Sequence, residues 1–235
     1  SINEGALAMF DISPAWTMIG LDILMVIYSL WILSLNRPLG KLGLAIAASL
    51  ATWLVLLHYG LSNESVFAPN ISGVAFLAVV FAGAGAVGVV LLSIAPIRRL
   101  LLSLDQRQLL LLQGIRVFFG AGFLIQAGTG VLPQAFGILD GITHIAAGFF
   151  GLIAAFSVAA GTQGVRRAWF ANLFGLADIL IVASSLAFIL LPQIGPHHSM
   201  MYAVFLPAPL WLWFHLISLW KLIRAERGIA QPVRA

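Results

Sequence analysis

GVAFLAVVFAGAGAVGVVLLSIA, residues 73–95, runs for 23 residues without one charged or amide side chain. About 20 apolar residues in a helix cross roughly 30 Å of hydrocarbon, so this stretch is long enough to span a bilayer. Inside it, GAGAVG at 83–88 fits the GxGxxG spacing of a dinucleotide-binding turn. That turn needs a strand before it and a soluble helix after it, and here it lies in the middle of a lipid-soluble run. The small residues therefore read as a packing surface. Ala78, Ala82 and Ala86, with Gly85, are expected to let a second helix backbone approach.

Six more runs of this kind surround it. The seven predicted spans are 16–35, 42–61, 73–95, 108–127, 139–160, 168–191 and 201–223. Turn chemistry separates them: NRPLGK, SNESVFAPN, PIRR, GTGVLP, GTQGVRR and PQIGPHHS. LLSLDQR, around residues 100–107, reads as a short interfacial helix before span four. The expected fold is all-α: one domain over 1–235, a bundle of seven transmembrane helices. Composition agrees, since the 235 residues are 61% hydrophobic and 9% charged, with mean hydropathy +1.05. A soluble domain carries about 25% charged residues. There is no cysteine, which excludes disulfides, thiolate catalysis and iron–sulfur clusters.

The basic residues test the count. Arg37 and Lys41 lie between spans one and two; Arg98, Arg99 and Arg107 between three and four; Arg166 and Arg167 between five and six. Lys221, Arg224, Arg227 and Arg234 close the chain, and the other loops and the N-terminal tail hold none. Eleven of the twelve Lys and Arg residues thus fall on one side. The positive-inside rule then sets the N-terminus outside and the C-terminus in the cytoplasm. The net charge of +4 and pI near 10.1 are accounted for by topology and by contact with anionic lipid, so nucleic acid is not an expected partner. Trp16, Trp169 and Trp220 fall at span ends, where indole favours the interface. The N-terminal SINEGALAMFDISPA carries acids where a signal peptide has a basic region, so no cleavable signal is expected. The initial Ser points to a processed or trimmed end.

Two further spans carry stripes. Asp140, His144, Gly148, Gly151 and Ala155 share one face of span five; Ala171, Gly175, Asp178, Val182 and Ser185 share one face of span six. Charges at membrane depth face the interior or water. Away from span ends there are three, Asp22, Arg116 and Asp178. Spans four and six run in the same direction. Arg116 is eight residues into the first and Asp178 ten into the second, about 12 Å and 15 Å deep. Arg116 is therefore expected to face Asp178, with Gln113 and Asn172 as polar neighbours. The pair either fixes helix register or forms a ligand- or proton-handling site. His58, His144 and His215 are candidate cofactor ligands, for haem b or a chlorophyll-type pigment, or else hydrogen-bonded core residues. Asp22 and Asp140, with His58 and His144, would form an acidic vestibule toward the outer face. His197 and His198 are expected to be solvated. No metal-ligand cluster is present, and no retinal-type lysine, since Lys221 lies at the end of span seven and His215 takes the deep position.

QGIRVFFGAGFLIQAGTGVLPQAFG, followed by DGITH and later by NLFGLADILIV and LPAPLWLWFHL, resembles a group of uncharacterised bacterial multi-pass membrane proteins of unknown function. The matching positions are Gln113, Arg116, Leu132, Pro133, Gly175, Asp178, Pro207, Pro209 and His215, over residues 108–220. Where those proteins carry an acid in the glycine-rich helix, His144 stands here. The resemblance implies an integral protein of the bacterial cytoplasmic (inner) membrane and supplies no activity. Three functional classes are open at this point: binding or transport of a small molecule or ion, with or without proton coupling, at Arg116 and Asp178; a haem- or pigment-binding electron-transfer or photosynthetic subunit; or a structural accessory subunit among other membrane subunits. No nucleophile–base pair or phosphate loop argues for an enzyme.

Overall fold

The computed structural model describes residues 14–226. The N-terminal tail, Arg227 and Arg234 lie outside the described residues, so their expected places are not part of the fold described here. All regular elements among the described residues are helical, and seven helical segments are long and apolar enough to cross a membrane. Span one is α1 (Pro14–Ser34), span two α2 (Gly40–Ser62) and span three α3 (Gly73–Ser93). A short amphipathic helix, α4 (Ala95–Ser103), follows where an interfacial helix was expected some residues later. Span four is split into α5 (Gln106–Leu111) and α6 (Arg116–Gly128), and span five is α7 (Gln134–Ser157). Span six runs from α8 (Thr162–Ser185) through a π-helical turn at Leu186–Leu190 into α9 (Leu191–Ile194). Span seven is α10 (Met200–Phe205) and α11 (Pro207–Glu226).

Each start has a local cause. Asp105 caps α5 in a capping box with Gln108, which satisfies two otherwise free backbone donors. Ser72 caps α3 by accepting from Ala75 N. Pro207 lacks an N–H and divides span seven. The carbonyl of Phe205 at that break accepts from the Trp53 indole of span two at 2.8 Å. At the break in span four, Tyr28 of span one donates to Leu111 O at 2.7 Å. Interrupted helices persist at membrane depth when neighbours bond the freed backbone in this way.

Spans four and seven form the centre, with 72% and 67% of their most apolar stretches buried, against 11% for span two and 17% for span three. Spans four and five pack backbone against backbone. A Cβ on Gly141 would lie 2.9 Å from Gly120 O, and one on Gly148 would lie 2.8 Å from Val117 N. The span-five stripe Asp140–His144–Gly148–Gly151–Ala155 is buried throughout, as its spacing implies. Span three differs from expectation. Its buried positions are Phe76, Ala84 and Gly88, while Ala78, Ala82, Gly85 and Ala86 face outward. The cause is Trp213, whose ring fills the space over Gly88 and whose indole donates to Ala84 O at 2.9 Å.

The two ends of the bundle are distinct. Arg37 bonds Ser103, Lys221 bonds the carbonyls of Leu102 and Leu104, and Trp169 bonds Glu226, so the basic loops gather at one end. At the other end, Phe67 N donates to His197 Nε2 at 3.1 Å and Ser199 bonds Gln126. His197 and His198 are half-buried there rather than solvated, because the loop after Gly195 folds back over Phe67.

Candidate functional site

Span four departs from α-helical bonding just before Arg116. Gln113 N bonds Leu110 O and Gly114 N bonds Leu111 O, both three residues back, and Arg116 N bonds Gln113 O likewise. This tight turn starts a new helix at Arg116 in the middle of the bundle. The guanidinium is fully buried and pairs with the carboxylate of Asp178 through Nη2 and Oδ2. Nη1 donates to Gly175 O at 3.4 Å and meets His215 Nε2 at 3.1 Å. The indole of Trp211 lies under the guanidinium, 5.2 Å from its carbon to the ring centroid. Gly175 is required in span six, because a Cβ there would collide with the His215 imidazole. An ion pair at this depth is tolerated only with hydrogen-bonded partners, and all of these come from spans four, six and seven.

The tautomer of His215 follows from its neighbours. Asn172 donates through Nδ2 to Ala168 O at 2.8 Å and to Ser218 Oγ at 2.7 Å, so its Oδ1 is an acceptor. His215 Nδ1, 3.0 Å away, must donate to it. Nε2 is then left with a lone pair that accepts from Arg116. Gln106 bonds Ser218 in turn. A continuous polar chain therefore runs from Gln106 near the basic end through Ser218, Asn172 and His215 to Arg116 and Asp178.

His144 of span five stands on the other side of Asp178, with Nδ1 3.1 Å from Oδ2 but out of line for a hydrogen bond. Its ring packs edge-on against Phe123 and Trp211. His144 also lines an apolar cleft of about 50 Å³ between spans three, six and seven, and Nε2 takes no hydrogen bond among the described residues. One turn away, Asp140 Oδ1 accepts from Ser185 Oγ at 3.0 Å, immediately before the π-helical turn of span six. Single π turns inside α-helices concentrate at functional sites.

The other predicted residues are placed as follows. Gln113 is buried, but both its side-chain polar atoms lack a partner, so it flanks the break without joining the cluster. Asn172 reaches Arg116 through His215 rather than directly. Asp22 and Asp140 are both fully buried, and neither opens to a surface as a vestibule would require. Asp22 has no hydrogen-bond partner on either oxygen. His58 meets Tyr202 Oη at 2.7 Å and packs on Trp16, sharing no partner with His144. Residue spacing left out Trp211, Ser218, Gln106 and Ser185 as site members. For span seven the signal was present: Trp211, His215 and Ser218 step by four and three, the same stripe arithmetic that located Asp140 and His144.

No curated protein and no solved structure matches this chain. A family model does match, over residues 74–223, which takes in spans three to seven and with them Arg116, His144, Asn172, Asp178 and His215, but neither Asp22 nor His58. Since that region is well over half of the sequence, the chain belongs to the family described as Domain of unknown function (DUF8737).

Proposed function

We propose that this protein binds a small polar solute or ion at Arg116 and Asp178 and carries it across the membrane, with proton exchange at the cluster coupled to passage. The observation that carries this reading is the incomplete pairing of the cluster. Arg–carboxylate pairs frequently close as a two-by-two fork that uses both oxygens and two guanidinium nitrogens. Here one oxygen of Asp178 takes the Arg116 bond with His144 beside it but out of line, while Oδ1 of Asp178 and Nε of Arg116 have no partner. Those free groups are a donor and an acceptor kept in a site of almost no exposure. Breaks in spans four and seven and a π turn in span six surround them, and discontinuous helices of this kind form substrate sites in carriers. The basic end is the cytoplasmic one in this reading, and the resemblance to bacterial membrane proteins supports the inner membrane as location.

The test is electrogenic or pH-coupled flux in proteoliposomes. A panel of small carboxylates, amines and inorganic ions is offered to wild type, to Arg116→Ala and to Asp178→Asn. The expected outcome is flux of at least one class by wild type, lost in both variants. Equal flux in a well-folded Arg116→Ala protein removes the site from the function.

One observation favours a second reading, a haem- or pigment-binding subunit. His144 retains a ring nitrogen free of hydrogen bonds at the wall of an apolar cleft, whereas His215 has both nitrogens engaged. A visible absorption spectrum of the protein purified from its native membrane decides it: a Soret or chlorophyll band supports cofactor binding, and a colourless protein removes it.

A further inference from the structure

At the basic end a cavity of about 350 Å³ opens between the end of α7, the start of α8 and the last turns of α11. Val158, Val165 and Leu222 line it together with Trp220, Lys221 and Arg224. Lys221 is held in place, its Nζ donating to Leu102 O at 2.8 Å and Leu104 O at 2.7 Å. An ammonium has three donors, so one is left for the cavity. The Arg224 guanidinium lies 4.7 Å from the centre of the Trp220 ring, and no carboxylate pairs with it among the described residues. Glu226, the acid nearest in sequence, accepts from the Trp169 indole at 2.8 Å and forms no ion pair with Arg224. Two positive charges therefore line the cavity, and neither is in an ion pair among the described residues, although the Asp105 carboxylate is near enough to act on Lys221.

We infer that this cavity holds the headgroup of an anionic phospholipid, its phosphate between Lys221 and Arg224 and its acyl chains along Val158, Val165 and Leu222. Each part of the wall matches a part of that molecule. Basic pockets between helices at a membrane face take phosphate headgroups. Trp220 lies in the last two turns of α11, and an indole near a span end favours the headgroup level. Val158, Val165, Ala168 and Leu222 give the lining an apolar share that suits acyl chains and that a free soluble anion would not use. Gln106, at the cavity, is also the first member of the polar chain to Arg116 through Ser218, so the headgroup sits at the foot of the central cluster.

The test is lipid retention by native mass spectrometry after detergent exchange, paired with thermal melting in nanodiscs of phosphatidylcholine with and without phosphatidylglycerol. Wild type is expected to retain phosphatidylglycerol in preference to phosphatidylcholine and to melt higher when it is present. Arg224→Gln, which touches no backbone carbonyl, is expected to lose that retention severalfold. Lys221→Gln/Arg224→Gln is expected to abolish the preference. Equal retention of both lipids by wild type, or unchanged retention in Arg224→Gln, overturns the inference. So does equal protection by inorganic phosphate in pure phosphatidylcholine, since the site would then belong to a soluble anion.

Discussion

Arg116 is fully buried, and three groups divide its charge: Asp178, the lone pair of His215 and the face of Trp211. Removing one member of a buried pair strands the other, at about 3–5 kcal/mol. Arg116→Ala and Asp178→Ala are each expected to lose stability on that scale, measured by denaturation in detergent. The double variant is expected to lose less than their sum, with a coupling of about 0.5–3 kcal/mol. Additive losses would mean that the two charges are satisfied independently. A second residue-scale prediction concerns His198, in the loop between spans six and seven. Burial, and then the neighbouring His197, push its imidazole down from 6.5 to about 3. Between those values the unfolded chain binds a proton that the folded chain does not, so stability rises with pH. The His198 contribution is complete above pH 6.5 and lost as pH falls toward 3. The drop in melting midpoint from neutral to acidic pH is therefore expected to be smaller in His198→Gln than in wild type. An identical drop would show that His198 does not titrate with unfolding.

The helices are held at unequal tolerances. A Cβ at Gly148 would press on Val117 N at 2.8 Å, and backbone cannot yield as a flexible side chain does, whereas a Cβ at Gly85 of span three would meet nothing within 4 Å. Gly148→Ala is expected to destabilise by about 1–3 kcal/mol through overpacking. Gly85→Ala is expected to be neutral or stabilising by up to about 1 kcal/mol, through helix propensity alone. Thermal melting of the two variants side by side checks the contrast, and equal effects would mean that the span four–five seam is loose. The same contrast explains what spacing could reveal. Span five shows its buried face because polar and small residues fall on one stripe. Span three is apolar all round, so no periodicity distinguishes the face toward Trp213 from the face toward lipid, and the alanine stripe there pointed outward. The breaks were legible only where Pro207 removes a donor; nothing in LAFIL announces a π turn, and Gly114 alone does not announce the turn before Arg116.

At the scale of the whole molecule, the number of membrane-length helices was readable because length in lipid and the alternation of basic loops constrain each other. The Arg116–Asp178 pairing was readable from depth, although span six starts at Thr162 rather than near 168 and the count from its true start puts Asp178 deeper than Arg116. Span four is also interrupted where Arg116 leaves the turn, a feature that a straight-helix count does not contain. Direction across the bilayer is a separate matter, and a chain with no native cysteine makes it simple to measure. Ser65 lies exposed in the loop between spans two and three, at the end without basic residues, and Arg166 lies exposed at the basic end. Moving a cluster of lysines and arginines outward is opposed by anionic lipid on the cytoplasmic leaflet, so the basic end should stay inside. Ser65→Cys is expected to react with a membrane-impermeant maleimide on intact cells, and Arg166→Cys only after permeabilisation. The reverse pattern would invert the orientation and turn the Gln106-to-Arg116 chain into a path from the outside.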